Sequence, residues 1–383
     1  MYEEAIMQFE AILKSQSQRI ERMKNAPPPK DHSALSKIVI GVIDGDGIGP
    51  IIMKEARRVL ECLIKDKLQS GKIELREIEG LTLENRIAQG KTVPDDVLLK
   101  IKECDVLLKG PTTTPQKGSA VPNMESANVL LRKELDLFAN VRPVRVDEEG
   151  IDWTFFRENT EGEYALGSCG IDIDGEYSID FKVTTDEGTW RIAKAAFDFA
   201  RANKKTNVAI VTKANIMKKT DGRFSEICHR VAADYPEITT EEWYVDIMSA
   251  NLLNKALRRQ FQVFLLPNLY GDIITDEAAQ IQGGVGTAGS ANIGSQYAMF
   301  EAIHGSAPRM IEQGIGEYAD PASILKATEM LLRHIGCIAE ADTLYNAMKK
   351  CEEEGKAVVT GDKNGATARA YTDQLIKAIE SFI

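Results

Sequence analysis

Two aspartates, Asp272 and Asp276, stand four residues apart in the segment "PNLYGDIITDEAAQ". The apolar run "QVFLLPN" before them is typical of a strand, so we expect a strand, a turn and the start of a helix. The spacing puts both carboxylates on one face of the first helical turn. Two facing carboxylates form an oxygen-only site of the kind that Mg²⁺ or Mn²⁺ prefers. The alternative is that one acid caps the helix, where the helix dipole favours negative charge, and the other is solvated.

Arginines recur upstream of this pair. The segment "SANVLLRKELDLFANVRPVR" contains Arg132 and Arg142, and "FFRENTEGEY" adds Arg157. Guanidinium groups bind carboxylates bidentately, so converging arginines predict a substrate with several carboxylates. For any single arginine a weak surface ion pair is the simpler interpretation, but several interleaved with apolar residues favour a site. The same segments also contain three polar residues that could share this site, Ser126, Asn128 and Tyr164.

Two further segments place polar residues just after apolar strands. "VTKANIM" contains Lys213 and Asn215, and "EEWYVDIMSANLL" contains Asp246. A lysine held near other charges can have its pKa lowered enough to accept a proton. Asp246 is a third candidate metal ligand. Lysine and aspartate are also common loop residues, so neither segment identifies a site by itself.

A glycine pattern, "GGVGTAG" from Gly283 to Gly289, matches the G-x-G-x-x-G sequence of dinucleotide-binding loops. That sequence has its mechanical meaning only when it follows a strand and opens a helix. Here the preceding residues "DEAAQIQ" are typical of a helix. We therefore do not expect these glycines to form a Rossmann pyrophosphate loop.

The elements that position these residues alternate between strand and helix. "KIVIGVIDGDGIGP" followed by "IIMKEARRVLECLIK" predicts a strand, a glycine turn and a helix, the first unit of an α/β sheet. The pattern becomes β-rich near Ala139, and the C-terminal part is mostly helical. We predict a large α/β domain from residues 37–137 and 283–383, with a smaller α/β domain of residues 138–282 inserted into it.

Residues 1–36 form a predicted N-terminal appendage. Residues 2–24 have a helical apolar stripe, and "APPPKDHS" then breaks the pattern. The helix is expected either to lie on the main body or to make a subunit contact. In both cases we expect deletion of residues 1–30 to leave activity unchanged.

Composition limits the possible functions. The 383 residues are 43% apolar and 27% charged, typical of a globular protein, and the length suits two domains. A net charge of -11 argues against nucleic acid as a partner. No apolar run approaches the ~18 residues of a membrane span, and the acidic N-terminus is unlike a leader peptide, so we expect a cytoplasmic protein that does not bind a membrane. The scattered cysteines are expected to be reduced core thiols.

Together these segments resemble one family. "GDGIGP", "LLRKELDLFANVRP", "FRENTEGEY", "NLYGDIITDEAA", "GGVGTAGSANIG" and "EAIHGSAP" occur in the order typical of the β-decarboxylating dehydrogenases. This family includes the isocitrate, isopropylmalate and homoisocitrate dehydrogenases. The resemblance covers nearly the whole chain from Lys37. It implies the two-domain α/β fold of that family, which is not a Rossmann fold.

The resemblance also implies a reaction, the oxidation of a 2-hydroxy acid followed by loss of CO₂. A divalent metal would be held by Asp272 and Asp276, with Asp246 contributed by the partner subunit of a homodimer with shared active sites. Lys213, also from the partner, would help to remove the hydroxyl proton, and Tyr164 would protonate the enol. The residues implied in substrate binding are Ser126, Asn128, Arg132, Arg142, Arg157 and Asn215.

The resemblance further implies a nicotinamide cofactor in a cleft of the large domain beside the "EAIHGSAP" loop. Arg309 could pair with a 2′-phosphate, which favours NADP, whereas Gly361 and Gly365 replace the Tyr and Arg of many NADP-linked members, so NAD stays open. Asp320 stands where an adenine-contacting Asn is expected. The residues implied in cofactor binding are Thr113, Thr114, His304, Gly305, Ser306, Ala307, Arg309 and Asp320.

The implied substrate depends on the segment that meets its variable arm. Isocitrate enzymes of the family have a Ser-x-Asn pair ahead of the first arginine, and Ser126 and Asn128 have that arrangement. A polar pair facing an isopropyl group would stay unpaired, so we expect isocitrate, a tricarboxylate. The insertion "PQKGSAVPNME" lengthens the loop before Ser126 and departs from the family pattern. The alternatives are homoisocitrate or isopropylmalate as substrate, a non-catalytic regulatory subunit, or a polycarboxylate-binding protein without chemistry.

Overall fold

The computed structural model describes residues 2–115, 124–167 and 169–382. Most of the insertion "PQKGSAVPNME" lies outside these residues. Within the described part, the α-helices are α1 Tyr2–Lys24, α2 Gly49–Leu63, α3 Lys65–Gln69, α4 Leu83–Gln89, α5 Asp95–Lys102, α6 Ala127–Glu134, α7 Asp186–Ala202, α8 Thr220–Ala232, α9 Val245–Leu253, α10 Asn268–Gln282, α11 Pro308–Glu312, α12 Ala322–His334, α13 Ile338–Glu354 and α14 Ala368–Glu380. The strands are β1 Ile38–Ile43, β2 Ile73–Glu77, β3 Val106–Lys109, β4 Ala139–Val146, β5 Ile151–Glu158, β6 Ile171–Ile173, β7 Tyr177–Ile179, β8 Asn207–Thr212, β9 Thr239–Tyr244, β10 Val263–Leu266, β11 Gly289–Ile293 and β12 Ala298–Ala302.

Two compact units divide the chain. The first contains Met1–Pro29, Arg132–Gln282 and Asn292–Ser295. The second contains Lys30–Leu131, Gly283–Ala291 and Gln296–Ile383. The N-terminal helix α1 is therefore part of the first unit, whereas the sequence prediction set residues 1–36 apart from both domains.

The second unit is built on parallel strands in the order β2-β1-β3-β12. Strand β3 is buried along its whole length, as expected of a parallel strand covered on both faces. The turn after β1 passes so close to the chain near Ser306 that a Cβ on Gly47 would lie 2.0 Å from the Ser306 carbonyl oxygen. This close approach requires glycine at residue 47, which also has a positive φ of 60°.

The first unit contains the strand order β4-β5-β10-β8-β9, in which β4 is antiparallel to β5 and the other pairs are parallel. Alternate residues of β10 face opposite sides of the sheet. Val263 and Leu265 belong to a core with Phe197 of α7, whereas Phe264 and Leu266 belong to a second core. The strand is buried on both faces, which explains its uninterrupted apolar sequence.

The carboxyl ends of these parallel strands place the polar residues that the sequence singled out. Arg157 lies at the end of β5, opposite Leu266 at the end of β10. Lys213 follows β8, and Asp246 lies in the first turn of α9, directly after β9. Polar groups collect at this edge because the chain leaves the buried sheet there and reaches turns that need not be apolar.

The glycine-rich segment follows helix α10 and precedes strand β11. This order is the reverse of a Rossmann pyrophosphate loop, as the sequence predicted. Gly283 and Gly284 have positive φ angles of 121° and 116° and break the helix. Gly289 serves packing, because a Cβ there would lie 2.6 Å from the backbone nitrogen of Ala327 in α12.

The prediction that all cysteines are core thiols is wrong for Cys169, which is exposed, and Cys62 is only partly buried. Cys169 comes just after the loop that carries Tyr164, and it belongs to no core element. The apolar residues beside it in the sequence therefore did not predict burial correctly. Among the described residues, no helix is both long and apolar enough to cross a membrane.

Gly289→Ala tests the packing role of this glycine. The added methyl group would press on the α12 backbone, which cannot rotate away as a side chain can, so we expect the free energy of unfolding to fall by about 1–3 kcal/mol. Gly286→Ala is the matched control, because its Cβ would meet no atom within 4 Å. Urea unfolding measures both variants, and equal effects would show that Gly289 does not pack as described.

Candidate active site

Asp272 and Asp276 lie on one face of α10, but not in its first turn. The helix begins at Asn268, so the aspartates occupy the second and third turns, and the prediction that they open the helix is wrong. The helix begins one turn earlier than predicted because Asn268 already has helical conformation and is buried. The alternative in which one aspartate caps the helix is thereby excluded.

Arginines from the two antiparallel strands bind these aspartates. Arg142 of β4 donates to Asp276 Oδ1 at 2.9 Å, and its other terminal nitrogen lies 3.7 Å from Asp272 Oδ1. Arg157 of β5 donates to the same Asp272 oxygen. Arg142 and Arg157 therefore bring the two carboxylates into one charged cluster.

Tyr164 completes this cluster. Its hydroxyl group donates to Asp272 Oδ2 at 2.8 Å, and the guanidinium of Arg157 lies 5.3 Å from its ring centroid. We refer to Arg142, Arg157, Tyr164, Asp272 and Asp276 as the aspartate–arginine cluster. The structure thus brings together five residues that the sequence singled out separately.

Burial and charge set the protonation of this cluster. Burial lowers the pKa of Arg157 to about 10, and the positive charge of Arg132 adds to this effect. Burial also raises the pKa of Tyr164 to about 12, and its hydrogen bond to Asp272 acts in the same direction. Burial by itself would raise the pKa of Asp272, but Arg157 and Tyr164 outweigh it and leave the pKa below its ordinary value. At neutral pH the tyrosine is therefore a phenol and the aspartate is ionised.

Arg132 adds a third guanidinium group near the cluster. Its charge acts on both Arg157 and Asp272, so three arginines lie around the Asp272 carboxylate. Guanidinium groups bind carboxylates, so this arrangement suits an anionic ligand. Arg132 and Asn128 both lie on α6, one helical turn apart.

A second charged pair joins Lys213 to Asp246. Lys213 Nζ lies 2.6 Å from Asp246 Oδ1, and this hydrogen bond lowers the pKa of the Asp246 carboxyl group. The aspartate side chain is 58% exposed. Asn215, in the turn after Lys213, is also exposed.

A buried aspartate fixes the backbone at Lys213. Asp221 of α8 accepts the backbone N–H of Lys213 at 2.8 Å and is fully buried. Lys182, itself 6% exposed, lies 2.5 Å from Asp221 and 3.2 Å from Glu163. Because Glu163 precedes Tyr164 in sequence, Lys182 links the loop of Tyr164 to the turn of Lys213.

Asp246 does not join Asp272 and Asp276 within one chain. Among the residues that the structure describes, no three His, Cys, Asp or Glu side chains lie close enough to hold a metal ion. The three predicted metal ligands therefore lie at two separate places in one chain. Asp272 and Asp276 are on α10, and Asp246 is on α9.

In the second unit, Asp46 and Thr113 connect the turns that contain the implied cofactor residues. Its carboxylate accepts the backbone N–H of Thr113 at 2.8 Å and that of Leu83 at 2.7 Å. The Thr113 hydroxyl lies 2.6 Å from the hydroxyl of Ser306, which is buried. Thr114 is exposed. The turns "GDGIGP", "GPTTT" and "HGSAP" are therefore tied to one another.

The loop of His304 is partly open. His304 Nδ1 lies 3.0 Å from the carbonyl oxygen of Gly305, and Nε2 is buried without a hydrogen-bond partner among the described residues. A Cβ on Gly305 would meet no atom within 4 Å. Ala307 has a positive φ of 44°, and Arg309 is exposed on α11. An unpaired buried ring nitrogen beside open backbone fits a ligand that accepts or donates hydrogen bonds.

Asp320 has a local structural role. Its carboxylate accepts the backbone N–H of Ala322 at 2.8 Å at the start of α12. Burial raises its pKa, and the hydrogen bond from Ala322 opposes this rise. On the substrate side, the side-chain oxygen of Asn128 accepts from the Thr112 hydroxyl at 3.1 Å, and the Ser126 carbonyl accepts the first helical N–H bond of α6.

Sequence reasoning missed several supporting residues. Asn268 accepts two hydrogen bonds from Arg157 through its side-chain oxygen, at 3.0 and 2.7 Å. Thr275 accepts from Arg142 at 2.6 Å. Asn268 stands beside Asp272 in the quoted segment and could have been suspected, but Lys182 and Asp221 carried no signal because their partners are distant in sequence.

Comparisons with known proteins agree with the resemblance. The family model described as isocitrate/isopropylmalate dehydrogenase matches residues 39–379. A protein of Rickettsia prowazekii named isocitrate dehydrogenase [NADP] is 38% identical over 325 residues, which are 82% of this chain and 63% of that protein. The chain thus spans less than two thirds of the length of this relative.

Two further matches cover their counterparts almost completely. A mitochondrial protein of Dictyostelium discoideum, named as a regulatory subunit of isocitrate dehydrogenase [NAD], is 36% identical, over 91% of this chain and 94% of that protein. The crystal structure of an isocitrate dehydrogenase from Methylococcus capsulatus matches with a TM-score of 0.78 and 32% identity, over 89% and 99% of the two chains. The chain belongs to the isocitrate/isopropylmalate dehydrogenase family, and the predicted α/β fold of that family is confirmed.

Asp221→Ala tests the support beneath Lys213. The substitution leaves the buried ammonium of Lys182 without its nearest carboxylate, and breaking a buried pair in this way typically costs about 3–5 kcal/mol of unfolding free energy. Asp246→Ala is the control, because it removes the exposed partner of Lys213 and should leave stability almost unchanged. Urea or thermal unfolding separates the two, and a stable Asp221→Ala variant would contradict the described packing.

Proposed function

We propose that this chain is a metal-dependent isocitrate dehydrogenase. It would oxidise isocitrate with NADP⁺ or NAD⁺ and release 2-oxoglutarate and CO₂. The observation that carries the proposal is the aspartate–arginine cluster, in which two aspartates, several guanidinium groups and a neutral phenol meet at one edge of a buried sheet. Membership of the family and the names of its relatives support the same reaction.

The substrate is an anion with several carboxylates. Arg132, Arg142 and Arg157 all lie near Asp272, and guanidinium groups bind carboxylates bidentately, so these three residues support a polycarboxylate as the substrate. Asn128 and Ser126 would bind the carboxylate on the substrate's variable arm. An isopropyl group there would leave these polar groups unpaired, and for this reason we place isocitrate before isopropylmalate.

The residues on α10 fit a divalent metal ion. Asp272 and Asp276 lie one helical turn apart on one face of α10, and both already contact one cation, the guanidinium of Arg142. Oxygen-only ligands suit Mg²⁺ or Mn²⁺, and Asp246 of a second copy would complete the set. The bound ion would lower the pKa of the substrate hydroxyl and stabilise the negative charge that develops on loss of CO₂.

Tyr164 and Lys213 would transfer the protons. Lys213 would assist removal of the hydroxyl proton of the substrate as hydride passes to the nicotinamide from the carbon that bears this hydroxyl group. Tyr164 would then donate its proton to the enol carbon after CO₂ has left. Its neutral state at physiological pH, which follows from burial and the bond to Asp272, suits this role. Asn215 and Lys213 would both be contributed by the partner subunit.

The homodimer with shared sites is supported by the surface around Lys213, Asp246 and Asp272. Large apolar side chains lie exposed within four residues of these in sequence, which is typical of an interface. They are Ile216, Met217, Tyr244, Ile247 and Ile273. Burial of this surface against a second copy would also supply the third metal carboxylate, which one chain does not place beside the other two.

The nicotinamide cofactor is assigned to the loop of His304. The unpaired Nε2 of His304 and the open backbone at Gly305 support a dinucleotide there, with Ser306, Ala307, Thr113 and Thr114 nearby in the same unit. Arg309 would pair with a 2′-phosphate, which favours NADP. Asp320 would shape the adenine side.

The Dictyostelium relative is named a regulatory subunit, so that function is the main rival. A regulatory subunit whose site has decayed would not need the aspartate–arginine cluster or the Lys213–Asp246 pair. Both are intact in this chain. Homoisocitrate, isopropylmalate and metal-independent polycarboxylate binding are further outcomes of the first assay.

That assay measures reduced cofactor from isocitrate with Mg²⁺ or Mn²⁺, in parallel with NAD⁺ and NADP⁺ and with an EDTA control. We expect metal-dependent turnover that prefers NADP⁺. Arg309→Gln should lower kcat/KM with NADP⁺ by about tenfold and leave that with NAD⁺ almost unchanged, because one charge-assisted pair is lost only with the 2′-phosphate. An unchanged cofactor ratio would remove Arg309 from this role, and inactivity with both cofactors would favour the rival substrates or the regulatory subunit.

Complementation tests the shared site. Asp272→Asn and Lys213→Met should each be inactive alone, since each defect affects both sites of its own homodimer. After co-refolding at equal amounts, half of the dimers are mixed and one site in each has neither defect, so about a quarter of wild-type activity should return. Mixing Asp272→Asn with Asp276→Asn is the control and should restore nothing, because both defects fall on the same half of the site. No recovery in the first mixture would show that each chain forms its own complete site.

A further inference from the structure

Two buried carboxylates lie in the loop that carries Tyr164. Glu158 at the end of β5 and Glu161 are 2% and 3% exposed. Glu158 accepts the backbone N–H groups of Thr160 at 2.9 Å and of Glu161 at 2.6 Å, together with the Thr160 hydroxyl at 2.7 Å. These hydrogen bonds fix the position of the loop. They also place two buried carboxyl groups near each other, which is energetically unfavourable when both are charged.

The cation that faces this acid pair comes from the N-terminal helix. Arg19 of α1 donates to Glu161 Oε1 at 2.7 Å and to the Thr160 hydroxyl at 3.0 Å, and its side chain is only 16% exposed. The helix is also fixed by Phe9, whose ring stacks on Phe181 with centroids 5.4 Å apart, and by buried Met23. The helix is therefore docked on its own chain, which is the first of the two positions that the sequence analysis allowed for it.

Hydrogen bonds continue from the acid pair to the aspartate–arginine cluster. The side-chain nitrogen of Asn268 donates to the Glu161 carbonyl oxygen at 3.0 Å. The side-chain oxygen of the same Asn268 accepts both Nε and Nη2 of Arg157. Arg157 in turn binds Asp272, which also accepts from Tyr164. A shift of Glu161 would therefore move the partners of Arg157.

We propose that Arg19 is a positioning residue for the candidate active site: by offsetting negative charge of the buried pair Glu158 and Glu161, it holds the loop of Tyr164 and, through Asn268, the guanidinium of Arg157. Arg19 touches no reacting group and acts only through these residues. This role contradicts the expectation that residues 1–30 can be deleted without loss of activity. The kinetic part of the test rests on the proposed dehydrogenase function, whereas the stability part does not.

The charges around Glu158 make the role of Arg19 dependent on pH. Burial raises the pKa of Glu158 to about 7, Glu161 raises it further, and Arg19 opposes both. The other charged groups at this place are Arg191 of α7, which donates to the Thr160 hydroxyl at 3.3 Å, and its ion-pair partner Asp136. Without Arg19 the pKa of Glu158 would rise still more.

The sign of the pH effect follows from this pKa. A carboxyl group whose pKa is higher in the folded than in the unfolded chain stabilises the fold less as pH rises from its ordinary value through the folded one. At pH 6 Glu158 can stay buried as the neutral acid even without Arg19. Above pH 7 the carboxyl of wild type ionises in place because Arg19 faces it, whereas without Arg19 the same carboxyl must stay protonated to a higher pH or leave its buried position, and the loop moves with it. The cost of losing Arg19 therefore grows with pH.

The test compares wild type, Arg19→Met, Arg19→Lys and Arg22→Met, each as the full-length chain. Arg22 is exposed on the same helix, so it controls for loss of one positive charge from α1. We expect Arg19→Met to lower kcat/KM for isocitrate by about tenfold at pH 8.5 and by less than about twofold at pH 6, a change that corresponds to about one pKa unit. Arg19→Lys should recover most of the activity, and Arg22→Met should match wild type at both pH values.

Thermal unfolding at the same pH values gives a readout independent of catalysis. The difference in Tm between wild type and Arg19→Met should widen from pH 6 to pH 8.5. A constant kinetic ratio and a constant Tm difference across pH would overturn the proposal, as would an equal loss in Arg22→Met. If wild type itself does not oxidise isocitrate, the proposed function fails, and the Tm differences alone decide the role of Arg19. If Arg19→Met does not fold, Arg19→Lys decides the role of Arg19. A lysine variant that recovers neither the stability of wild type nor the pH dependence of that stability also contradicts the proposal.

Discussion

The structure of the site depends on one buried guanidinium. Arg157 is 1% exposed, and a charge so far from water must be satisfied by partners in fixed positions. Asn268 and Asp272 supply those partners from one helix, and Tyr164 shares Asp272. Gly271 lies between them, and a Cβ there would be 2.5 Å from Arg157 Cγ, so the helix can approach the strand only at a glycine. In the motif "NLYGD", Asn268, Gly271 and Asp272 therefore all contact one cation, the guanidinium side chain of Arg157.

Charge organises the surroundings of Arg157 on both sides. Towards the site, Arg132 and Arg142 add positive charge beside Arg157, an arrangement that suits the binding of an anion. Behind the site, Glu158 and Glu161 concentrate negative charge, which Arg19 offsets. The loop of Tyr164 lies between these regions, so its position reflects a balance of charges drawn from α1, β5, α7 and α10. This explains why an N-terminal helix can matter to a site at the end of a sheet.

The division of the metal ligands has a structural cause. Asp272 and Asp276 follow β10, whereas Asp246 follows the edge strand β9, with β8 between them in the strand order. Asp246 instead pairs with Lys213, which follows the intervening strand, and both are accessible beside exposed apolar side chains. The strand order thus separates two groups that the proposed chemistry needs together, and a second copy offers the way to combine them.

The sequence by itself determined the fold class, the positions of Lys213 and Asp246 just after strands, and the rejection of the glycine pattern, because these follow from local periodicity and from the order of elements. It also predicted helix α1 with its observed bounds. It could not show that Arg19 meets Glu161, that Lys182 meets Asp221, or that α10 begins at Asn268. The two ion pairs join residues more than thirty positions apart in the sequence, and the start of α10 depends on how one side chain packs. Buried charged groups meet their partners only after the strands have brought them together.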